Sequence, residues 1–160
     1  VAAPESADGP DNAGVRVPPP LIFLTLLLLG LWYDSPWFDG HMATMELTIG
    51  GGILATLGFA LLIPCALGFK KAGSHLEPWK PTTAIISTGV YGYSRNPIYL
   101  GMAMMHGGLA IGGGSMAALG TLVIGMMIIQ IYVIAREERY LEAKFGAEYN
   151  DYRTRVRRWV

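Results

Sequence analysis

The sequence predicts an all-α, polytopic membrane protein with about four transmembrane helices and a C-terminal interfacial amphipathic helix. Composition gives the first reason: 52% of the 160 residues are hydrophobic and 15% are charged, and the charges gather in a few segments with long apolar runs between them. Run length gives the second. Residues 47–69 carry no charge, and neither do 98–135, a stretch nearly twice the roughly 20 residues that one spanning helix takes. Charge placement gives the third, because all 12 Lys and Arg fall on one side of a four-span arrangement.

Residues 1–17 are rich in Pro, Gly, Ala and Asp without apolar periodicity, and are expected to form a disordered leader. Glu5, Asp8 and Asp11 stand where a cleaved secretory signal would be basic. Residues 18–160 are expected to form one membrane-embedded domain. Its first span is 18–33, with Trp32, Tyr33, Trp37 and Phe38 as an interfacial belt on the far side and Trp79 and Trp159 on the near side. The second is 47–69, where Gly50, Gly51, Gly52, Ala55 and Gly58 offer a small-residue surface to another helix. Cys65 lies inside it, a lone thiol that excludes a disulfide within the chain.

A loop, 70–96, leads to the third span at 97–111 and the fourth at 115–135. Gly112, Gly113 and Gly114 form the turn between them and lack the strand and helix flanks of a nucleotide-binding glycine loop. Gly146 suits a helix C-cap. Beyond it, Tyr149, Tyr152, Val156 and Trp159 recur at intervals of three and four, with Arg153, Arg155, Arg157 and Arg158 on other faces. Residues 147–160 therefore read as an amphipathic helix drawn to anionic headgroups, either as an anchor or as a lid over a site at the membrane surface. Basic residues are retained on the cytoplasmic side, so both termini are expected there, and the net charge of zero gives no reason to expect a nucleic-acid partner.

The chemistry is expected where the third span begins and the fourth ends, on one membrane face. Asn96-Pro97 has a simple account as N-cap and first helical residue, which leaves Arg95, Tyr99 and Gly101 unexplained. Asn96 and Gln130 are equally far along the chain from Gly113 and are expected at similar depth, with Glu137 farther out and on the helical face of Gln130. Glu138 points about 100° away from Glu137, so the two carboxylates should have different partners: one a ligand, the other Arg95 or a loop lysine. His106, two turns after Tyr99 in an apolar run, is either a functional group or a neutral imidazole bonded to a neighbouring helix. His75 has no companion at metal-ligand spacing, and no metal site is expected.

Thr88-Gly89-Val90-Tyr91, then Arg95-Asn96-Pro97-Ile98-Tyr99-Leu100-Gly101, then Glu137-Glu138 and Phe145-Gly146 with Tyr149, Tyr152, Arg155 and Val156, occur in an order and spacing that is specific in combination. On these residues the chain, from about Gly73 to Val160, resembles the isoprenylcysteine carboxyl methyltransferases and the phospholipid methyltransferases grouped with them. The resemblance implies S-adenosylmethionine as donor, bound by His75, Gly89, Tyr91, Asn96, Pro97, Tyr99, Gly101, Glu137 and Glu138. It further implies catalytic roles for Arg95, Glu137 and Glu138, substrate contacts from His106, Gln130, Tyr149, Tyr152 and Arg155, and a bacterial inner-membrane location. Asn96 stands where the prenylcysteine enzymes usually carry His, which leaves the acceptor open.

Methyl transfer is an in-line displacement at an already activated carbon, so positioning supplies much of the catalysis. The aromatic faces of Tyr91, Tyr93 and Tyr99 and the carboxylates of Glu137 and Glu138 suit a cationic donor, and Arg95 suits an anionic substrate group. The expected acceptor is lipophilic or lipid-anchored, with a carboxylate, thiol or amine head. Two alternatives remain at this level: a sterol-type membrane reductase using a nicotinamide cofactor, and a non-catalytic membrane subunit with the same fold.

Overall fold

A computed structural model describes residues 12–35, 43–74, 77 and 80–160, and among these every regular element is helical. Helix α1, Pro19–Tyr33, starts with prolines at its first two positions, where a missing N–H costs nothing. Phe23, Leu27 and Gly30 face inward at intervals of four and three, while Leu21, Leu24, Leu28 and Leu29 stay exposed. Its C-terminal Asp34 is buried and accepts from Ser115 Oγ at 2.8 Å and from the Ala117 amide at 2.6 Å. The end of α1 is thereby fastened to the N-terminus of α4, where a carboxylate is favoured by unpaired amides and the helix dipole.

Helix α2, Met45–Lys71, is capped by Thr44 Oγ1 on the Leu47 amide and carries Glu46 in its first turn and Lys70 and Lys71 in its last. Helix α3, Pro97–Gly112, lies along it at a separation that only small residues permit. A Cβ on Gly108 would sit 2.5 Å from the Gly51 carbonyl oxygen, and one on Gly58 2.6 Å from that of Gly101. Gly51, Ala55 and Gly58 thus form the contact stripe that composition suggested, whereas Gly50 and Gly52 face open space.

After a turn in which Gly114 takes φ +61°, α4, Met116–Ile128, begins at the Ser115 cap. It runs through a π-helical segment, Ile129–Ile134, into α5, Ala135–Phe145. Gly146, at φ +51°, breaks the helix, and α6, Ala147–Arg155, folds back.

Two helices, Met45–Lys71 and the continuous Met116–Phe145, are long and apolar enough to cross a membrane; α1 and α3, at 15 and 16 residues, are shorter. Only 11% of the most apolar window of α2 is buried, and Ile49, Ile53, Leu57, Phe59, Ile63 and Leu67 are exposed along it. A helix inside a water-soluble core would be mostly covered, so this surface requires an apolar surrounding.

Two expectations are corrected. Residues 12–15, assigned to a disordered leader, are at least partly covered while Arg16 and Val17 stay exposed: Val15 is 2% exposed and shares a core cluster with Phe23, Tyr99, Ile129, Val133 and Ile134. Residues 1–11 of that leader lie outside the described residues, as do Trp37, Phe38 and Trp79 of the aromatic belt. The C-terminal helix ends at Arg155 instead of running to 160, and its apolar side does not face a membrane surface. Tyr149, Tyr152 and Val156 are buried against Ile85, Leu141 and Phe145 of the same chain.

Candidate active site

A cavity opens between the loop before α3, the first turn of α3, α5 and α6. It is lined by Arg95, Asn96, Pro97, Tyr99, Glu137, Glu138, Tyr91, Tyr149 and Tyr152, with Phe69, Ala84, Ile85, Ile86, Ile98 and Leu141 as apolar walls. Gly89, at φ +62°, allows the short 3₁₀ turn Gly89–Gly92, which turns Tyr91 inward. The ring of Tyr91 meets Phe69 edge-on at 5.7 Å, and its carbonyl accepts from Tyr152 Oη at 2.8 Å. Burial, and then the neighbouring Cys65 thiol, push the Tyr91 hydroxyl pKa well up, so this lining group is neutral. Burial likewise raises Tyr149, and it pushes Tyr152 up to about 12.

Pro97 occupies the first position of α3, but the Asn96 side chain does not cap the helix. Its Nδ2 donates to the Arg158 carbonyl at 2.9 Å instead. The helix-punctuation account therefore holds for the proline and fails for the asparagine, because the returning C-terminal tail offers a competing acceptor.

The two carboxylates part company. Glu137 Oε1 accepts from Tyr99 Oη at 2.7 Å, joining the start of α3 to α5. Glu138 takes two guanidinium groups: Arg95 Nη1 at 3.2 Å, and Arg158 through Nε at 2.9 Å and Nη2 at 2.5 Å. The hydrogen bond to Glu138 raises the Arg158 pKa. Arg95, which lines the cavity, also donates from Nη1 to Tyr149 Oη at 3.2 Å, while its Nε is buried without a partner. Two cations thus share one anion beside the cavity, and one buried donor stays unused.

Other expected site residues lie elsewhere. Gly101 is a packing residue, since a Cβ there would be 2.8 Å from Leu62 Cδ2 on α2. His106, 2% exposed, sits between α3 and α4 with Nε2 3.0 Å from the Ala118 carbonyl and its ring edge-on to Phe23; it is a buried cross-helix imidazole away from the cavity. Gln130 falls in the π segment and does not line the cavity. A π turn holds more residues than an α turn, so the constant α spacing that placed Gln130 beside Glu137 does not apply. Arg155, whose side chain is 61% exposed, pairs with Asp151 at 2.9 Å on the outer side of α6. His75 lies outside the described residues.

Sequence reasoning missed Arg158 as a partner of the acidic pair, because a run of four tail arginines looks like a lipid-facing surface. The available signal was the need of a second buried carboxylate for a cation. Ala13, from the expected leader, was also missed as a lining residue.

The family model described as phospholipid methyltransferase matches residues 47–148, more than half of the chain. A protein-S-isoprenylcysteine O-methyltransferase of Saccharomyces cerevisiae is 29% identical over 143 residues, covering 79% of this chain and 54% of the yeast protein. An uncharacterized protein of Haemophilus influenzae is 50% identical over 48 residues, 30% of this chain and 75% of that one. The chain thus spans about half the length of the yeast enzyme. No solved structure gives a significant match.

Proposed function

Since the chain belongs to the phospholipid methyltransferase family, we propose that it transfers a methyl group from S-adenosylmethionine to a lipophilic or lipid-anchored acceptor at the cytoplasmic face of a membrane. The observation that carries this reading is the convergence of Arg95, Tyr91, Tyr99 and Glu137 on one cavity with apolar walls at the ends of membrane-type helices. These residues fit the donor. The unpartnered Arg95 Nε would hold its carboxylate, and Glu137 with the faces of Tyr91 and Tyr99 would accommodate its positive charge. When bound, the donor supplies an activated methyl on a sulfonium. The chain's own residues bind, orient and exclude water, and none of the cavity groups named above forms a nucleophile–base pair of the covalent-catalysis type.

In the same reading α1, α2, α3 and the long fourth helix all cross the membrane, with both termini cytoplasmic. The acceptor enters laterally between helices while the donor arrives from the water. Its head is a carboxylate, thiol or amine; the similarity to the yeast O-methyltransferase supports methylation at oxygen, and the family description supports a phospholipid headgroup. Methyl transfer from labelled S-adenosylmethionine in nanodiscs tests this, with total lipid extract or a prenylated thiol compared with short-chain analogues. The long-chain acceptor is expected to react at least about tenfold faster, equivalent to ~1.4 kcal/mol. Equal specificity constants would overturn lateral entry.

A further inference from the structure

After α6 the chain turns extended at Val156 (φ −121°, ψ 130°), and residues 156–159 cross the start of α3. Ser94, Arg95 and Asn96 meet this tail at two adjacent carbonyls. The Arg95 amide donates to the Arg157 carbonyl at 3.0 Å, and Ser94 Oγ and Asn96 Nδ2 donate to the Arg158 carbonyl at 3.4 and 2.9 Å. The Arg158 side chain reaches the other way and engages both oxygens of Glu138 on α5. Trp159, next along, packs against the core cluster that contains Val15 and Tyr99.

Arg158 therefore bridges the two helices that form the polar end of the cavity, by its backbone to one and its side chain to the other. We propose that it is a positioning residue: residues 156–159 act as a latch, and Arg158 locks it. Holding Glu138 from one side keeps that carboxylate from drawing Arg95 wholly to itself, which leaves Arg95 Nε for the ligand. Holding Asn96 by its amide fixes the chain leading into Tyr99, whose hydroxyl sets Glu137. The inference rests on the donor-binding reading for its consequence and on the hydrogen bonds alone for the latch.

The full chain in nanodiscs, as parent, Arg158→Ala, Arg158→Lys and Arg153→Ala, tests both parts. Without ligand, residue-resolved exchange of the Arg95 amide is compared with that of Leu100, which donates within α3 to the Asn96 carbonyl. In Arg158→Ala the Arg95 amide is expected to exchange at least about tenfold faster with Leu100 unchanged, and in Arg153→Ala neither should move. By calorimetry, S-adenosylhomocysteine is expected to bind Arg158→Ala at least about tenfold more weakly than the parent, with partial recovery in Arg158→Lys. Unchanged Arg95 exchange or unchanged affinity in Arg158→Ala overturns the proposal. A parent that does not bind S-adenosylhomocysteine contradicts the donor reading instead, and the exchange comparison then decides the latch by itself.

Discussion

Glu137 and Glu138 are neighbours in sequence and opposites in structure: one holds a tyrosine hydroxyl at the cavity, the other is enclosed by two arginines. Glu138→Gln leaves Arg95 and Arg158 partly buried without their anion; breaking a fully buried pair costs about 3–5 kcal/mol, and less here because the Arg158 side chain is 39% exposed. We therefore predict a lower unfolding midpoint for Glu138→Gln, and for Glu137→Gln a near-parental midpoint with weaker donor binding. Calorimetry and thermal unfolding in detergent check this, and identical behaviour of the two variants would contradict it. Tyr99→Phe removes one charge-assisted hydrogen bond, worth about 1.5–3 kcal/mol, and should weaken the donor in the same direction as Glu137→Gln. Sequence alone divided the carboxylates into one for a ligand and one for a cation, but could not assign them. The second cation comes from a tail twenty residues away, whose return depends on the break at Gly146.

Helix contacts were legible where small residues repeat, and illegible where the helix changes type. The α2–α3 stripe follows from Gly51, Ala55 and Gly58, yet only coordinates separate these from Gly50, which faces outward. We predict that Gly51→Leu forces α2 from α3 and lowers the unfolding midpoint strongly, whereas Gly50→Leu is tolerated. Equal midpoints for the two variants would contradict the packing. The π segment Ile129–Ile134 has no sequence signature that α periodicity can register, so constant α spacing does not carry from Gln130 to Glu137. Helix α6 carries a pH dependence. The Tyr152 hydroxyl is raised to about 12 from 10.0, so the folded state favours its neutral form; that stability is present below pH 10 and is lost as pH rises from 10 to about 12. Loss of the Tyr152 bond to the Tyr91 carbonyl should release α6 in that window, followed by exchange of α6 amides, and Tyr152→Phe should remove the step.

At the scale of the molecule, composition and one-sided charge indicated a helical membrane protein, and the exposed apolar face of α2 agrees with that. The packing at 12–15 was hidden because one buried valine among Asn, Ala, Gly and Arg makes no periodic pattern. The proposed four crossings predict that Cys introduced at Ala43 reacts with impermeant reagent from the non-cytoplasmic side and Cys at Lys80 from the cytoplasmic side, in a Cys65→Ser background. Reaction of both from one side would exclude that topology. The central claim is that the cavity between α3, α5 and α6 takes a methyl donor. Titration calorimetry of the purified, folded chain with S-adenosylmethionine tests it most directly: the account predicts saturable binding at one site per chain and none with a nicotinamide dinucleotide, whereas no saturable heat from the methyl donor, or binding of the dinucleotide in its place, would contradict it.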